Sequence, residues 1–453
     1  MRTIRHLALT ALFAFAGLAG ATEYYVAKTG SDSNSGLTAS TPFLTINKAL
    51  SLWGNGDTIW VNSGTYNETI TIWNKSNVQL IGTGPTRPII DGTNKSPVNG
   101  LVVIGGDDPG TDGVLFQGFE VTNSNVSGIL IWEASNVAIK YNKVHHNERG
   151  GIIAGAYAPG VNDYIHIFEN IVTDNVRDNM DRDENAEWLQ GIGLMYTNHG
   201  TIEGNYVSKN WGEGIDYISS DNGLIVRNDV WDNFSTNIYL DNAQHTRVDR
   251  NWVYFTGDTN FKRGGNPPGG ITVANEDYDY DNPTDYLTIV NNIVQWTNAG
   301  FHYGRWDNNN GLHHTVVANN TFYNLAYVAI WIQQANHDTT EIRNNIIYQG
   351  GSTKGYLDLW NPTYTTWLTA GLTFSHNCWY NGNANTKVTG TGDYNGNPQL
   401  VNAGSGSKND YKLATGSPLI NIGTTISGVT NDFYTSSSVR PTGNAYDIGA
   451  DEY

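Results

Sequence analysis

The chain has one cysteine, Cys378, among 453 residues. No intrachain disulfide can form, and a cysteine-based metal site is excluded. Cations are also scarce: 25 Lys and Arg against 43 Asp and Glu leave a formal charge of −18. Phosphate backbones are held by clustered cations, so no nucleic-acid partner is expected. Charged residues amount to only 15%, which leaves Asn, Thr, Ser and Gly to supply most of the polar surface. No apolar run reaches the roughly 20 residues that span a bilayer, so no membrane span is expected. What is present is 39% hydrophobic and 12% aromatic residues, enough for a large core and against disorder. The 51 glycines point to many turns or to a repetitive backbone.

The first residues have the layout of an export signal. Arg2 and Arg5 precede an apolar stretch from Leu7 to Leu18, and Ala19-Gly20-Ala21 reads as a cleavage site. No cysteine follows that would take a lipid anchor. The expectation is a signal peptide over 1–21 and a mature chain, starting near Thr22, that works outside the cytoplasm: secreted, periplasmic or on the cell surface.

The remainder is repetitive. An Asn-x-Val unit or a close relative recurs at Asn142, Asn170, Asn205, Asn228, Asn251, Asn292, Asn320 and Asn345, with intervals of 28, 35, 23, 23, 41, 28 and 25. A Gly-Ile-like pair marks the same units at Gly128-Ile129, Gly151-Ile152, Gly191-Ile192, Gly214-Ile215, Asn237-Ile238, Gly270-Ile271, Gly300-Phe301 and Ala329-Ile330. Between the marks, apolar residues alternate over short strand-like runs, and no useful helical period appears. A unit of about 23 residues is too short for a propeller blade of ~40–45 and fits a solenoid coil. Asparagine at one place in each turn suits a ladder of side-chain amides along the axis.

These coils resemble the right-handed parallel β-helix of the pectate-lyase-like superfamily. Tyr24-Tyr25-Val26, Gly30-Ser31-Asp32, Pro42 to Ile46, Gly56 to Val61 and Gly64-Thr65-Tyr66 are similar to the opening segment of many secreted β-helix proteins. The resemblance implies an all-β solenoid of about ten or more coils over 22–380, with a short capping helix from Thr45 to Leu52. Asp410 to Leu413, Ser417 to Ile420 and Asp447 to Asp451 resemble the ending of such proteins, and 381–453 is expected to close the helix or pack on it. The fold hosts lyases, hydrolases, epimerases and adhesins, so it does not fix the reaction.

Strand alternation assigns a site. With the Ile of each Gly-Ile pair inward, Ile215, Ile238 and Ile271 fall in the core. Asp216, Tyr239, Thr272, His302 and Trp331 then form one outward row, with Asp241 beside it and Glu213 just upstream on the same face. A groove is expected over coils 190–335, walled by the insertions 176–188 and 255–269 and by an acidic stretch from Glu276 to Asp285. Asp216 and Asp241 lie on adjacent coils, at roughly the 5–9 Å separation of glycosidase acid/base pairs. Trp132, Tyr239, Trp306 and Trp331 are candidates to stack on sugar rings, with Glu276 and Gln333 beside them. The acids Asp178, Asp181, Asp183 and Glu187 are candidate calcium ligands, the stretch from Glu276 to Asp285 is an alternative calcium site, and Asp216 and Asp241 could hold the ion instead of acting as an acid/base pair.

The expected partner is a polysaccharide or oligosaccharide, and the chain is expected to be a monomer. The resemblance favours a calcium-assisted polysaccharide lyase, in which calcium bridges the protein to a uronate and a basic residue takes the C5 proton. Lys262, Arg263 and Arg305 are the candidate bases, and Lys262 is the better one because arginine stays protonated. Two other readings stay open: a glycoside hydrolase built on Asp216 and Asp241, with Glu213 or His302 assisting, and a non-catalytic carbohydrate-binding surface protein.

Overall fold

A computed structural model describes residues 20–107, 110–181, 189–276, 282–304, 311–333, 335–359, 370–435, 437 and 439–453. Most of the expected signal peptide lies outside these residues. The chain winds as a parallel β-helix with three long sheets of 14, 11 and 13 strands. Every strand pairing among the described strands is parallel, coil on coil. One short α-helix, Ile46–Leu52, sits at the N-terminal end. Its first turn is capped by the Thr45 hydroxyl, which accepts from Lys48 N at 3.2 Å, and by the Glu68 carboxylate, which accepts from Ile46 N and Asn47 N at 3.0 Å. No helix among the described residues is long and apolar enough to cross a membrane.

The core phase is the one the Gly-Ile marks give. Ile129, Ile152, Ile192, Ile215, Ile238, Ile271, Phe301 and Ile330 stack in register and are fully buried. The asparagines form the expected ladder. From Asn142 to Asn377, each Nδ2 donates to the Oδ1 of the next coil at 3.0–3.1 Å. The residue before each ladder asparagine is left-handed, including the bulky Tyr141, Glu169, Arg227, Arg250 and His376 at φ between 48 and 57°. That conformation is costly for such side chains, and the buried amide bonds of the ladder hold the corner in place. A second ladder, Asn147, Asn175, Asn210, Asn233 and Asn237, runs along another corner.

Strand pairing continues past residue 380, to Tyr394–Asn395. Beyond it the chain turns back along the solenoid. Leu413, Leu419 and Ile448 pack on Ile346 and Cys378, Ile426 and Val429 on Val290 and Ala318, and Tyr411 and Ala450 on Ile293. Lys408 Nζ reaches Asp229 Oδ1 at 2.9 Å. This strap covers apolar side chains that would otherwise face water over several coils.

Candidate functional site

The 11-stranded sheet carries the site. Its outward column runs Gly193, Asp216, Tyr239, Thr272, His302, Trp331 and Asp358, one residue per coil. Asp241 stands in the next column, paired with Ile218. At the strand starts the ladder pairs Gln190 with Glu213, skips Gly191 and Gly214, and resumes at Ile192 with Ile215. A Cβ on Gly214 would stand 2.4 Å from Asn237 O, so the skipped position has room only for glycine. The irregularity breaks simple alternation, and Glu213 and Asp216, three residues apart, share a face.

A cleft of about 520 Å³ opens over this column. Glu213, Tyr239, Thr272, Glu276, His302 and Trp331 line it, with Arg263, Asn266 and Pro267 from the insertion forming a wall. Arg263 is presented by a tight turn in which Asn266 N donates to Arg263 O at 3.0 Å. Gly264 and Gly265 sit at φ +55 and +85°, the left-handed pair that such a turn requires.

Two carboxyl groups line the cleft, Glu213 and Glu276, and two more, Asp216 and Asp241, are buried behind it. Gln190 Nε2 donates to Glu213 Oε2 at 3.2 Å and to Asp216 Oδ2 at 3.3 Å, which holds the two carboxyls side by side so that each acts on the other's proton. Burial pushes the Glu213 carboxyl up to about 7. Asp216 and Gln190 beside it oppose the rise, the Glu276 charge adds to it and the Arg263 charge opposes it. Burial first, then the negative charges of Glu213 and Asp241, hold Asp216 well above the usual carboxylate range. Two acids this close cannot both ionise cheaply, so the pair keeps at least one proton near neutral pH. In the same cleft, Tyr239 Oη donates to Glu276 Oε1 at 2.5 Å. Asn242 fixes the Glu276 backbone, accepting from Glu276 N at 2.6 Å and donating to its carbonyl at 3.0 Å. His302 stacks on Trp331 with ring centroids 4.3 Å apart, and its Nε2–H donates to Gln333 Oε1 at 2.9 Å. Burial lowers His302 to about 4, which the Gln333 bond only partly offsets, so the ring is neutral at neutral pH.

The structure therefore gathers Glu213, Tyr239, Glu276, His302 and Trp331 in one cleft, with Gln333 supporting His302. Asp216 and Asp241 do not line it. Both have the outward phase but are 1% exposed, and the Gln190 amide bonds Asp216. Lys262 does not line it either: its Nζ lies over the Phe255 ring at 5.9 Å, and its neighbour Arg263 takes the cleft-facing place. Trp132 is also absent from the lining. It stands on the same sheet several coils toward the N-terminus, edge-on to Tyr157 at 5.1 Å. Arg305 and Trp306 lie outside the described residues, as do Asp183 and Glu187. Asp178 and Asp181 are exposed at the end of the Arg177–Asn179 turn. Among the described residues, no group of three or more His, Cys, Asp or Glu is arranged to hold a metal ion. Gln190, not among the expected site residues, was detectable: it precedes a Gly-Ile pair just as Glu213 does.

The model of the Pel9A-like right-handed β-helix region matches residues 24–345. No curated protein sequence matches the chain. Among solved structures, the pectate lyase Pel9A superposes with a TM-score of 0.52 at 16% identity, over 96% of this chain and 97% of that one. PfbA, a surface adhesin of Streptococcus pneumoniae, gives 0.52 at 13% identity, over 75% and 86%. The Dettilon tailspike protein gives 0.51 at 14% identity, over 84% and 70%. At these identities the likeness concerns the fold.

Proposed function

The chain belongs to the family of Pel9A-like right-handed β-helix proteins, and on that premise we propose that it is an exported enzyme that cleaves a polysaccharide in the cleft beside Glu213. One observation carries the reading: a carboxyl pushed up to about 7 shares a cleft lined by aromatic rings with a second carboxyl, Glu276. A glycosidic bond breaks when one acid protonates the leaving oxygen and a second carboxylate activates water or attacks the sugar. Glu213 is the proton donor, because it keeps its proton near neutral pH. Glu276, oriented by Tyr239 and Asn242, is the second carboxylate. Trp331, backed by His302, supplies an apolar face for a sugar ring.

Elimination is the second reading, favoured by Arg263 and His302. A neutral imidazole can take the proton α to a uronate carboxylate while Arg263 balances its charge and Glu213 protonates the leaving oxygen. Chain cleavage of a polysaccharide panel separates the two. New reducing ends without the ultraviolet absorbance of an unsaturated uronate mean hydrolysis, and the absorbance means elimination. Neither product from any polymer would leave the binding-only reading.

Calcium stays a proposal for the insertion 176–188. The described acids alone do not make a site, so no catalytic step is routed through the ion. Chelator-treated protein should melt at a higher temperature when calcium is added if the insertion binds it; an unchanged melting curve removes calcium from the account.

The pH dependence follows from Glu213. As a proton donor it works when protonated, so activity should hold below about 7 and fall as pH rises through that value. Stability has the same sign. The folded-state value is raised above the ordinary 4.5, so the contribution is fully present below 4.5 and is lost as pH rises through about 7. Melting curves across that window should show the loss in the wild type and a smaller loss in Glu213→Gln.

A further inference from the structure

We infer that the outward face on the N-terminal side of the cleft is a binding track for the same glycan chain, with Trp73 and Trp132 as its platforms. The inference rests on the glycan-cleaving reading above. The two columns that bear Asp216 and Asp241 continue to earlier coils. One passes through Gly193, Ile153, Leu130 and Val103 to Thr71. The other contains Trp73, Gly105, Trp132 and Gly155 in register, a strict alternation of tryptophan and glycine.

The alternation has a steric meaning. A Cβ on Gly105 would stand 2.3 Å from Trp132 O and 3.0 Å from Trp73 Cζ3, and a Cβ on Gly155 would stand 3.0 Å from Trp132 Cζ3. Each indole thus reaches over the glycine of the next coil, where a side chain would displace it. Both rings remain partly open to solvent: Trp73 is 36% exposed and Trp132 is half-buried. Tyr157, 76% exposed, stands against the edge of Trp132. Asp107 holds the Trp73 Nε1–H at 3.3 Å.

Two coils separate the tryptophans, about 10 Å at the spacing of neighbouring strands, comparable to a disaccharide of an extended glycan. Three coils, roughly 14 Å, separate Trp132 from Asp216. An extended chain cut at Glu213 and lying along the sheet would cross both rings, and apolar ring faces bind sugar faces at little conformational cost. The ligand class is therefore a long polymer, bound well beyond the scissile bond.

Affinity electrophoresis through gels containing soluble polygalacturonate or neutral xylan tests this, with Glu213→Gln as the parent so that the polymer stays intact. The parent should be retarded by at least one polymer. Trp73→Ala and Trp132→Ala should each weaken that retention by about tenfold, while Trp132→Phe restores most of it and the melting temperature of each variant matches the parent. Alanine variants retarded as strongly as the parent, or a parent retarded by neither polymer, overturn the track. Cleavage is measured separately with the wild type, so a failure of the enzymatic reading shows as absent products, whatever the gels show.

Discussion

Glu213→Gln should reduce turnover by about 10²–10⁴ while leaving the fold intact, the usual scale for losing a positioned proton donor. The amide matches the carboxyl in size, but it has no acidic proton to deliver to a leaving oxygen. Because the loss is confined to the transition state, kcat and kcat/KM should fall together with KM little changed. Glu276→Gln should also lose most activity under hydrolysis, where the second carboxylate activates water or attacks the sugar, whereas under elimination it is a lesser contributor and His302→Ala becomes the severe change. Steady-state kinetics on a polymer found to be cleaved decide between these patterns. Full activity in Glu213→Gln removes the proton-donor role.

The second large effect is on stability. Arg440 and Glu452 form an ion pair at 2.7 Å with both side chains fully buried. Arg440 also donates to the carbonyls of Asn431, Asp447, Gly449 and Asp451, so this one guanidinium ties together the returning C-terminal strap. Arg440→Met should cost about 3–5 kcal/mol, because it leaves Glu452 buried without its partner and removes the donors of several carbonyls. Glu452 already lies above its ordinary value through burial, with Arg440 opposing the shift. Chemical denaturation should show the loss, and limited proteolysis should show cuts after residue 400 first. A loss below about 1 kcal/mol, the scale of an exposed pair, would mean that the strap is held by its apolar contacts alone.

The fold was legible because the coil repeats. Each Gly-Ile pair and each ladder asparagine reports the same physical demand, an apolar residue inward and an amide at a tight corner, so many independent marks agree on one register. The second ladder was legible as well: Asn147, Asn175, Asn210 and Asn233 each fall five residues after a first-ladder asparagine and three after its valine, a spacing that the Asn-x-Val unit alone does not include. The site was legible to the level of the column. Tyr239, His302 and Trp331 face the cleft as alternation predicts, and Glu276 follows from the turn after the strand. What alternation does not contain is depth. Asp216 and Asp241 have the outward phase, yet both are buried, Asp216 beside Gln190 of the preceding coil, and how neighbouring side chains of one face cover each other is not contained in a period of two. The same limit explains Lys262 and Arg263: adjacent residues in an irregular insertion, sorted only by the Gly264-Gly265 turn. The sharing of a face by Glu213 and Asp216 depends on the skipped Gly214, a local break that a strict period of two does not show.

The central claim is that a carboxyl in the cleft keeps its proton near neutral pH, and carboxyl carbon-13 titration by NMR tests it directly, with Glu213→Gln as the assignment control. The account predicts a carboxyl that titrates near 7 in the wild type and is missing from the variant. If the wild type and the variant instead differ only by a carboxyl that titrates near the ordinary glutamate value of about 4.3, Glu213 is not the acid and the proposed chemistry fails.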